Sequence, residues 1–422
     1  MLTDPLEFLF SLERLGMKFG LENIAALCHA LGHPEQQFSS IVIAGTNGKG
    51  SVTVMVETAL RAAGNRAARY TSPHLVRIEE RFVIDGREVD TADLRDALAT
   101  VRDAIEVLLE CGELEALPTF FECTTAAAFE LFRRARVEIA VLEVGLGGRL
   151  DATNVVTPIA TAITSIDFDH QAQLGNTLES IAREKAGIVK PRVPLVCGPV
   201  PEDAERVIRE VCQSQHAPMI RTADAVRIVP HDGDGAIDVR GSRSLDRVTL
   251  ALAGRHQRSN AAVAVALLDE VSRRGIRMTD AAIRTGLTDA VWPARLEGFV
   301  REGVDVLLDA AHNPAGARAL ASHLQDIGWS RVTLLFGVMR DKDVAGMLEP
   351  LAPICERVIC TTPPNPRALP ASELADVVRR FVPAVEIAPD LNRALHESLA
   401  HRRPVVAAGS IFLIGPLRDI LR

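Results

Sequence analysis

The chain has 422 residues, 47% of them hydrophobic but only 4% aromatic, with a formal net charge of −8. That length exceeds one ordinary domain of roughly 150 residues, so two or three units are expected. The acidic balance excludes a general nucleic-acid binder, which needs a basic surplus against a phosphate backbone; anionic ligands must be met by helix N-termini, individual arginines or metal ions.

The opening "MLTDPLEFLFSLERLG" (1–16) places an acidic residue before its apolar patch and has no basic leader region. No uncharged apolar run reaches 18 residues, so the reading is a cytoplasmic protein. The seven cysteines (28, 111, 123, 197, 212, 355 and 360) form no CxxC pair and lie mostly in apolar surroundings. They read as buried free thiols.

Along the chain, short β-rich runs alternate with helical patterns. Strands are expected at "IVIAG" (41–45), "IAVLEVG" (139–145), "IATAITSI" (159–166) and "VPLVCG" (193–198), with helices at "SVTVMVETALRAAG" and "TTAAAFELFRRAR" between the first two. The alternation predicts a doubly wound, mostly parallel α/β sheet. Residues 226–252 read as short antiparallel strands appended to that sheet, and "SNAAVAVALLDEVSRRG" as a helix. Proline, tryptophan and charges in "DAVWPARLEGFVREG" (289–303) mark a linker. A second alternation follows, from "VDVLLDAA" (304–311) to "PVVAAGSIFLIG" (404–415), and reads as a smaller Rossmann-like domain. The expected division is 1–296 and 297–422.

"GTNGKGS" (45–51) follows a strand and opens a helix, the context a phosphate-binding loop requires. Glycines 45, 48 and 50 let the backbone turn tightly and approach phosphate oxygens, and the free N–H groups and helix dipole favour negative charge. Lys49 would reach the β- and γ-phosphates, and the Ser51 hydroxyl would face Mg²⁺. Gly50 stands between lysine and serine, so the loop departs from GxxxxGK[ST].

The departure is informative. The loop resembles that of the folylpolyglutamate synthase/dihydrofolate synthase family, relatives of the Mur ligases. Further segments extend the resemblance along nearly the whole chain: "YTSPHL" (70–75), "ERFVIDG" (80–86), "TFFECTTAAAF" (119–129), "EVGLGGRLDATN" (143–154), "DFDHQAQLG" (167–175), "REKAGIVK" (183–190), "GRHQRSNAAVA" (254–264), "WPARLE" (292–297), "LLDAAHNPAGA" (307–317) and "GVMRDKD" (337–343). The implied fold is a P-loop domain like the Mur-ligase central domain, followed by the Rossmann-like ligase domain.

The resemblance implies an ATP-dependent ligase that joins a carboxylic acid to the amine of glutamate through an acyl phosphate. Such chemistry needs positioning and charge neutralisation, with no covalent protein nucleophile. Glu143 ends an apolar strand, where a carboxylate points into the binding crevice; by resemblance it is a magnesium ligand, joined by Ser51, Ser72 and His170, with two ions in all. Lys185 is by resemblance carbamylated, which requires a partly desolvated amine. Lys49, Glu143, His170 and Lys185 form the implied catalytic set. ATP contacts are assigned to Asn47, Gly48, Lys49, Gly50, Ser51, Asn260, Arg295, Asp309 and His312, with His256 and Asn313 beside them. The site would span an interdomain cleft whose closure excludes water.

Three segments resemble the pterin site of the bifunctional bacterial type: Met17, Lys18 and Phe19; Thr119, Phe120 and Phe121; Arg149, Leu150 and Asp151. Phe120 and Phe121 would stack on a flat ring and Asp151 accept its N–H donors, although two phenylalanines near a helix start also suit a core, and Asp151 a loop cap. The implied activity is therefore addition of L-glutamate to 7,8-dihydropteroate and to tetrahydrofolate by a monomer. The alternatives are a folylpolyglutamate synthase only, or a Mur-type amino-acid ligase acting on a nucleotide-linked peptide. A non-catalytic nucleotide-binding protein would lack the metal ligands or Lys49.

Overall fold

The structure is a computed structural model that describes residues 4–16, 18, 20–231 and 235–422. It resolves into two compact units. The first comprises Met1–Asp167, Gln171–Ala251 and Ser259–Ala290; the second Phe168–His170, Leu252–Arg258 and Val291–Arg422.

The first unit is built on eight strands: β1 (Ser39–Ala44), β2 (Ala67–Tyr70), β3 (Phe82–Ile84), β4 (Arg87–Glu88), β5 (Ile139–Glu143), β6 (Ala160–Ile163), β7 (Leu195–Cys197) and β8 (Met219–Arg221). Their order is β4-β3-β2-β5-β1-β6-β7-β8. Every pair from β2 to β8 is parallel, and β3 and β4 return antiparallel at one edge. β1, β5 and β6 are continuous apolar or small-residue runs because both faces are covered. The helix Lys49–Ala62 is buried at every position from Gly50 to Leu60. One neighbour is the helix Asp280–Thr288, where Gly286 permits the approach: a Cβ there would lie 2.6 Å from both the Ala59 Cβ and the Met55 carbonyl oxygen.

The segment after residue 225 corrects the sequence reading. β9 (Val226–Pro230), β10 (Ile237–Gly241) and β11 (Ser244–Val248) form a separate three-stranded antiparallel sheet and extend no edge of the large one. β10, the central strand, alternates in burial, whereas the edge strands β9 and β11 are mostly exposed or half-buried, and Arg284 donates to the Asp246 and Arg247 carbonyls of β11.

The second unit carries β12 (Glu297–Arg301), β13 (Val304–Leu308), β14 (Val332–Phe336), β15 (Cys355–Cys360), β16 (Val385–Ile387) and β17 (Val405–Ala408) in the order β12-β13-β17-β14-β15-β16. All pairs are parallel except β12 with β13. Part of the expected linker is thus a strand: Glu297–Arg301 completes a hairpin through the turn at Glu302 and Gly303, both with positive φ. Leu334, Phe336, Val358 and Val406 centre this unit's core. All seven cysteines are free thiols; Cys28, Cys123, Cys197, Cys212 and Cys360 are buried. No helix among the described residues is long and apolar enough to cross a membrane.

Candidate active site

The phosphate-type loop forms where β1 ends. Gly48, at φ 87°, is the N-cap of the helix Lys49–Ala62, a conformation that an L side chain rarely adopts. A Cβ there would also stand 2.4 Å from the Asn260 Oδ1, so Asn260 is packed directly on the loop. The segment after β6 braces the loop from the other side. The Asn47 N–H donates to Ser165 Oγ (3.0 Å), Thr164 Oγ1 donates to the Asn47 carbonyl (2.6 Å), and the Thr46 hydroxyl bridges the Asp167 N–H and carbonyl (3.0 and 3.1 Å).

Two ammonium groups converge on one carbonyl oxygen. Lys49 Nζ donates to Gly45 O at 3.0 Å and to Thr46 O at 3.3 Å, and Lys185 Nζ donates to the same Gly45 O at 2.9 Å. Lys185 lies on the helix Leu178–Ala186 and is only 5% exposed. Glu143 is the last residue of β5, opposite Ile43 of β1, and its Oε2 accepts from the Ser72 N–H at 3.4 Å. Ser51 is buried in the first turn of the loop's helix.

These donors suit magnesium bound with a nucleotide. Among the described residues no group of three or more His, Cys, Asp or Glu could hold an ion alone. One carboxylate and nearby hydroxyls, with remaining positions left to phosphate oxygens and water, is the set magnesium takes.

Of the expected pterin residues, Met17 and Phe19 lie outside the described residues. Lys18 Nζ reaches Asn23 Oδ1 at 3.4 Å. Thr119 caps the helix Phe120–Arg134 in a reciprocal box with Glu122, and its hydroxyl bonds that carboxylate at 2.8 Å. The Phe121 ring packs where Gly145 leaves room and lies 5.9 Å from Tyr70; Phe120 lies 6.0 Å from Phe10. Asp151 has the contacts of a loop cap, accepting from the Leu146 N–H (2.9 Å), the Thr153 N–H (3.0 Å) and the Thr153 hydroxyl (2.6 Å). Burial raises its carboxyl above the ordinary range despite those bonds. Arg149 is exposed and engages Glu184 Oε1 (2.9 and 3.1 Å), one residue before Lys185; Leu150 is half-buried beside it.

In the second unit Asp309 follows β13. It accepts from the Leu296 N–H (2.9 Å) and the Ala311 N–H (2.8 Å), which fixes the turn bearing Arg295 between two residues of positive φ, Ala294 and Leu296. Burial lowers His256, whose Nδ1 is enclosed without a partner. His312 Nδ1 meets the Ala310 carbonyl at 2.9 Å, and Asn313 caps the helix Pro314–Asp326.

Sequence reasoning overlooked the group that gathers these residues. Asp169, directly before His170, takes Lys342 Nζ at 2.7 Å and Asn313 Nδ2 at 3.0 Å, with His312 Nε2 at 3.4 Å. Burial would raise this carboxyl, but His312, Lys342 and His170 together hold it far below the carboxylate range. Also overlooked were His74 and Arg81, inside segments already singled out. Arg81 Nε donates to His74 Nδ1 at 2.9 Å, and burial beside the Arg81 charge pushes His74 down to about 4.

A strand-end phosphate-type loop, a buried lysine sharing its carbonyl and a second Rossmann-like unit define a Mur-type ligase. The chain matches the Mur ligase middle domain over residues 43–268 and the Mur ligase glutamate ligase domain over 294–411. It is 33% identical to the dihydrofolate synthase/folylpolyglutamate synthase of Bacillus subtilis, with 97% of this chain and 96% of the relative covered. Among solved structures it resembles the Escherichia coli FolC complex with DHPP and ADP (TM-score 0.88, 30% identity, 99% and 97% covered). It also resembles a bifunctional folylpolyglutamate synthase/dihydrofolate synthase with Mn, AMPPNP and L-glutamate bound (TM-score 0.86, 32% identity, 99% and 98% covered). The chain belongs to the dihydrofolate synthase/folylpolyglutamate synthase family.

Proposed function

We propose that this protein is an ATP-dependent ligase that adds L-glutamate to 7,8-dihydropteroate, forming dihydrofolate, and to tetrahydrofolate, forming folylpolyglutamates. The observation that carries the reading is the loop 45–51, where Lys49 stands in the first helical turn with its ammonium over neutral carbonyls. Near full-length similarity to a relative named for both activities supports the pair over the second alone.

A carboxylate is a poor electrophile, so the acceptor acid first attacks the γ-phosphorus of ATP; an acyl phosphate forms and ADP leaves. The glutamate amine then adds to the acyl carbon, loses a proton, and inorganic phosphate departs as the amide forms. Lys49 and the N–H groups of residues 47–51 neutralise the β- and γ-phosphates during transfer. Asn260 and Asp309 orient the nucleoside, and Arg295 clamps phosphate oxygens. Ser51, Ser72, Glu143 and His170 would hold two magnesium ions, which would supply positive charge to offset that developing on the phosphates. Lys185, whose buried amine suits carbamylation, would supply a further oxygen as N6-carboxylysine. Met17, Lys18 and Phe19, with Thr119–Phe121 and Arg149–Asp151, would enclose the pterin and aminobenzoate rings. Residues 1–296 would serve as the ATP and pterin domain and 297–422 as the ligase domain, in a cytoplasmic monomer.

The test is phosphate release with ATP, Mg²⁺ and glutamate, comparing 7,8-dihydropteroate with tetrahydrofolate. Turnover with both is the expected result. Turnover with tetrahydrofolate alone removes the dihydrofolate synthase activity, and silence with both removes the reading. For Lys185, a carbamate carbon resonance after incubation with ¹³C-bicarbonate, absent from Lys185→Ala, is expected.

A further inference from the structure

Arg81 is a buried guanidinium, 7% exposed, at the end of the 3-10 turn Ile78–Arg81. Its central carbon lies 5.2 Å from the Phe120 ring centroid, and among the described residues no carboxylate comes within 4 Å of it. Buried cations ordinarily have a partner, because desolvating an unpaired charge is costly. Arg69 in the same unit follows that rule, meeting Glu57 at 2.8 Å. Arg81 Nε donates to His74 Nδ1 at 2.9 Å, and the buried Tyr70 hydroxyl is a second side-chain partner beside the same guanidinium. A guanidinium can only donate, so Nδ1 is the lone-pair nitrogen and the imidazole proton sits on Nε2. The loop bearing His74 is itself clamped: Glu80 accepts from the backbone N–H groups of Leu75 (2.7 Å), Val76 (3.1 Å) and Arg77 (2.9 Å), and the Thr71 N–H bonds the Arg81 carbonyl at 3.1 Å.

The arrangement aims a cation held by neutral partners, with no carboxylate in direct contact, from beside an aromatic face. An acid whose carboxylate is joined to a flat ring presents the complement: the ring meets Phe120 and Phe121, and the anion meets the guanidinium. We propose that His74 is a positioning residue, holding Arg81 through Nδ1 so that the other guanidinium N–H groups receive the carboxylate of the acceptor acid. This rests on the ligase reading above and names the group that orients the acid before it attacks ATP.

The experiment measures binding of pteroic acid, and of its carboxamide with the same rings and no charge, with Mg²⁺ and a non-hydrolysable ATP analogue present. Asparagine can place an amide oxygen where Nδ1 stands, whereas glutamine places its amide nearer Nε2. His74→Asn is expected to stay within about threefold of wild type for the acid. His74→Gln is expected to bind it about tenfold more weakly or worse, the scale of a lost charged hydrogen bond, with little change for the carboxamide. In an Arg81→Lys background His74→Gln should add no further loss. Equal weakening of acid and carboxamide, equal behaviour of the two variants, additive losses in the double variant, or no wild-type preference for the acid over its amide would each overturn the proposal. Glutamate ligation by the wild type is measured alongside. Normal ligation with an unmoved acid preference removes this inference alone, whereas absent ligation removes the ligase reading.

Discussion

Around the candidate site, the two units hold their cations in opposite ways. In the first, Lys49 donates to the carbonyls of Gly45 and Thr46, and Arg81 to a neutral imidazole nitrogen. In the second, Lys342, 8% exposed at its side chain, is paired at 2.7 Å with the Asp169 carboxylate. A neutral partner fixes a cation without cancelling its charge, so the first arrangement keeps positive potential for an arriving anion. A carboxylate partner cancels the charge and yields a stable strut. Phosphoryl transfer between two anions needs the former where charge develops, and the latter where residues must simply stay in place.

The strongest way to break the comparison is to remove the uncancelled charge. Lys49→Ala should lower kcat for phosphate release by about a thousandfold or more, the scale of losing a preorganised charge in such a site, while changing thermal stability little, because Lys49 is half-buried and leaves no charge unpaired when removed. A loss of Tm without a loss of kcat would reverse its assignment. Asp169→Ala should do the opposite first. It removes the nearer carboxylate of buried Lys342, whose other partner Asp341 stands at 3.7 Å, and takes one contact each from His312 and Asn313, at a cost of about 3 kcal/mol in unfolding free energy, seen as a lower midpoint in urea. Activity should fall with it, since His170 is the next residue.

What was legible in the sequence follows the same divide. The loop 45–51 could be read because strand, glycines and helix are contiguous, and Glu143 because a carboxylate ending an apolar run has a local signature. Thr119 with Glu122 also carried one, the T-x-x-E of a capping box, which explains the contacts of Thr119 seen in the fold. The Asp169–Lys342 pair was not legible, because its members are 173 residues apart and no periodicity records such a contact. Nor was the separation of β9–β11 from the large sheet, since strand partners depend on non-local pairing. β12 was obscured by the proline and charges before it; it is an edge strand whose burial alternates weakly.

A smaller effect tests the packing of the loop. Gly48→Ala meets both a positive φ and the Asn260 Oδ1 at 2.4 Å. The expected cost is about 1–2 kcal/mol of stability, together with weaker ATP binding as the loop and Asn260 part. Asn260→Ala, which removes the obstructing atom, should restore part of the stability lost in Gly48→Ala but not the nucleotide affinity. Full recovery of both would mean that Asn260 contributes only packing.

The smallest effect is a matter of pH and sharpens the contrast between units. Glu297 begins β12 and accepts from Arg418 Nε at 2.7 and 3.0 Å and from the Ala294 N–H at 2.8 Å. Burial alone would raise its carboxyl, but these bonds, Arg418 foremost, bring it below the ordinary value of 4.5. A carboxyl depressed by folding contributes stability above its unfolded pKa and loses it as pH falls through the folded value, since the unfolded chain takes up the proton first. Wild type should therefore lose about 1 kcal/mol from this group on acidification below about pH 4.5, and Glu297→Gln should flatten that part of the stability curve. Glu130 in the first unit is also depressed, by Arg133 and Arg134 against its own burial. Those arginine side chains are 44% and 38% exposed, against 10% for Arg418. Water screens the Glu130 pairs more, so Glu130→Gln should flatten the curve less than Glu297→Gln. The reverse order would mean that cancelled pairs are not the characteristic support of the second unit.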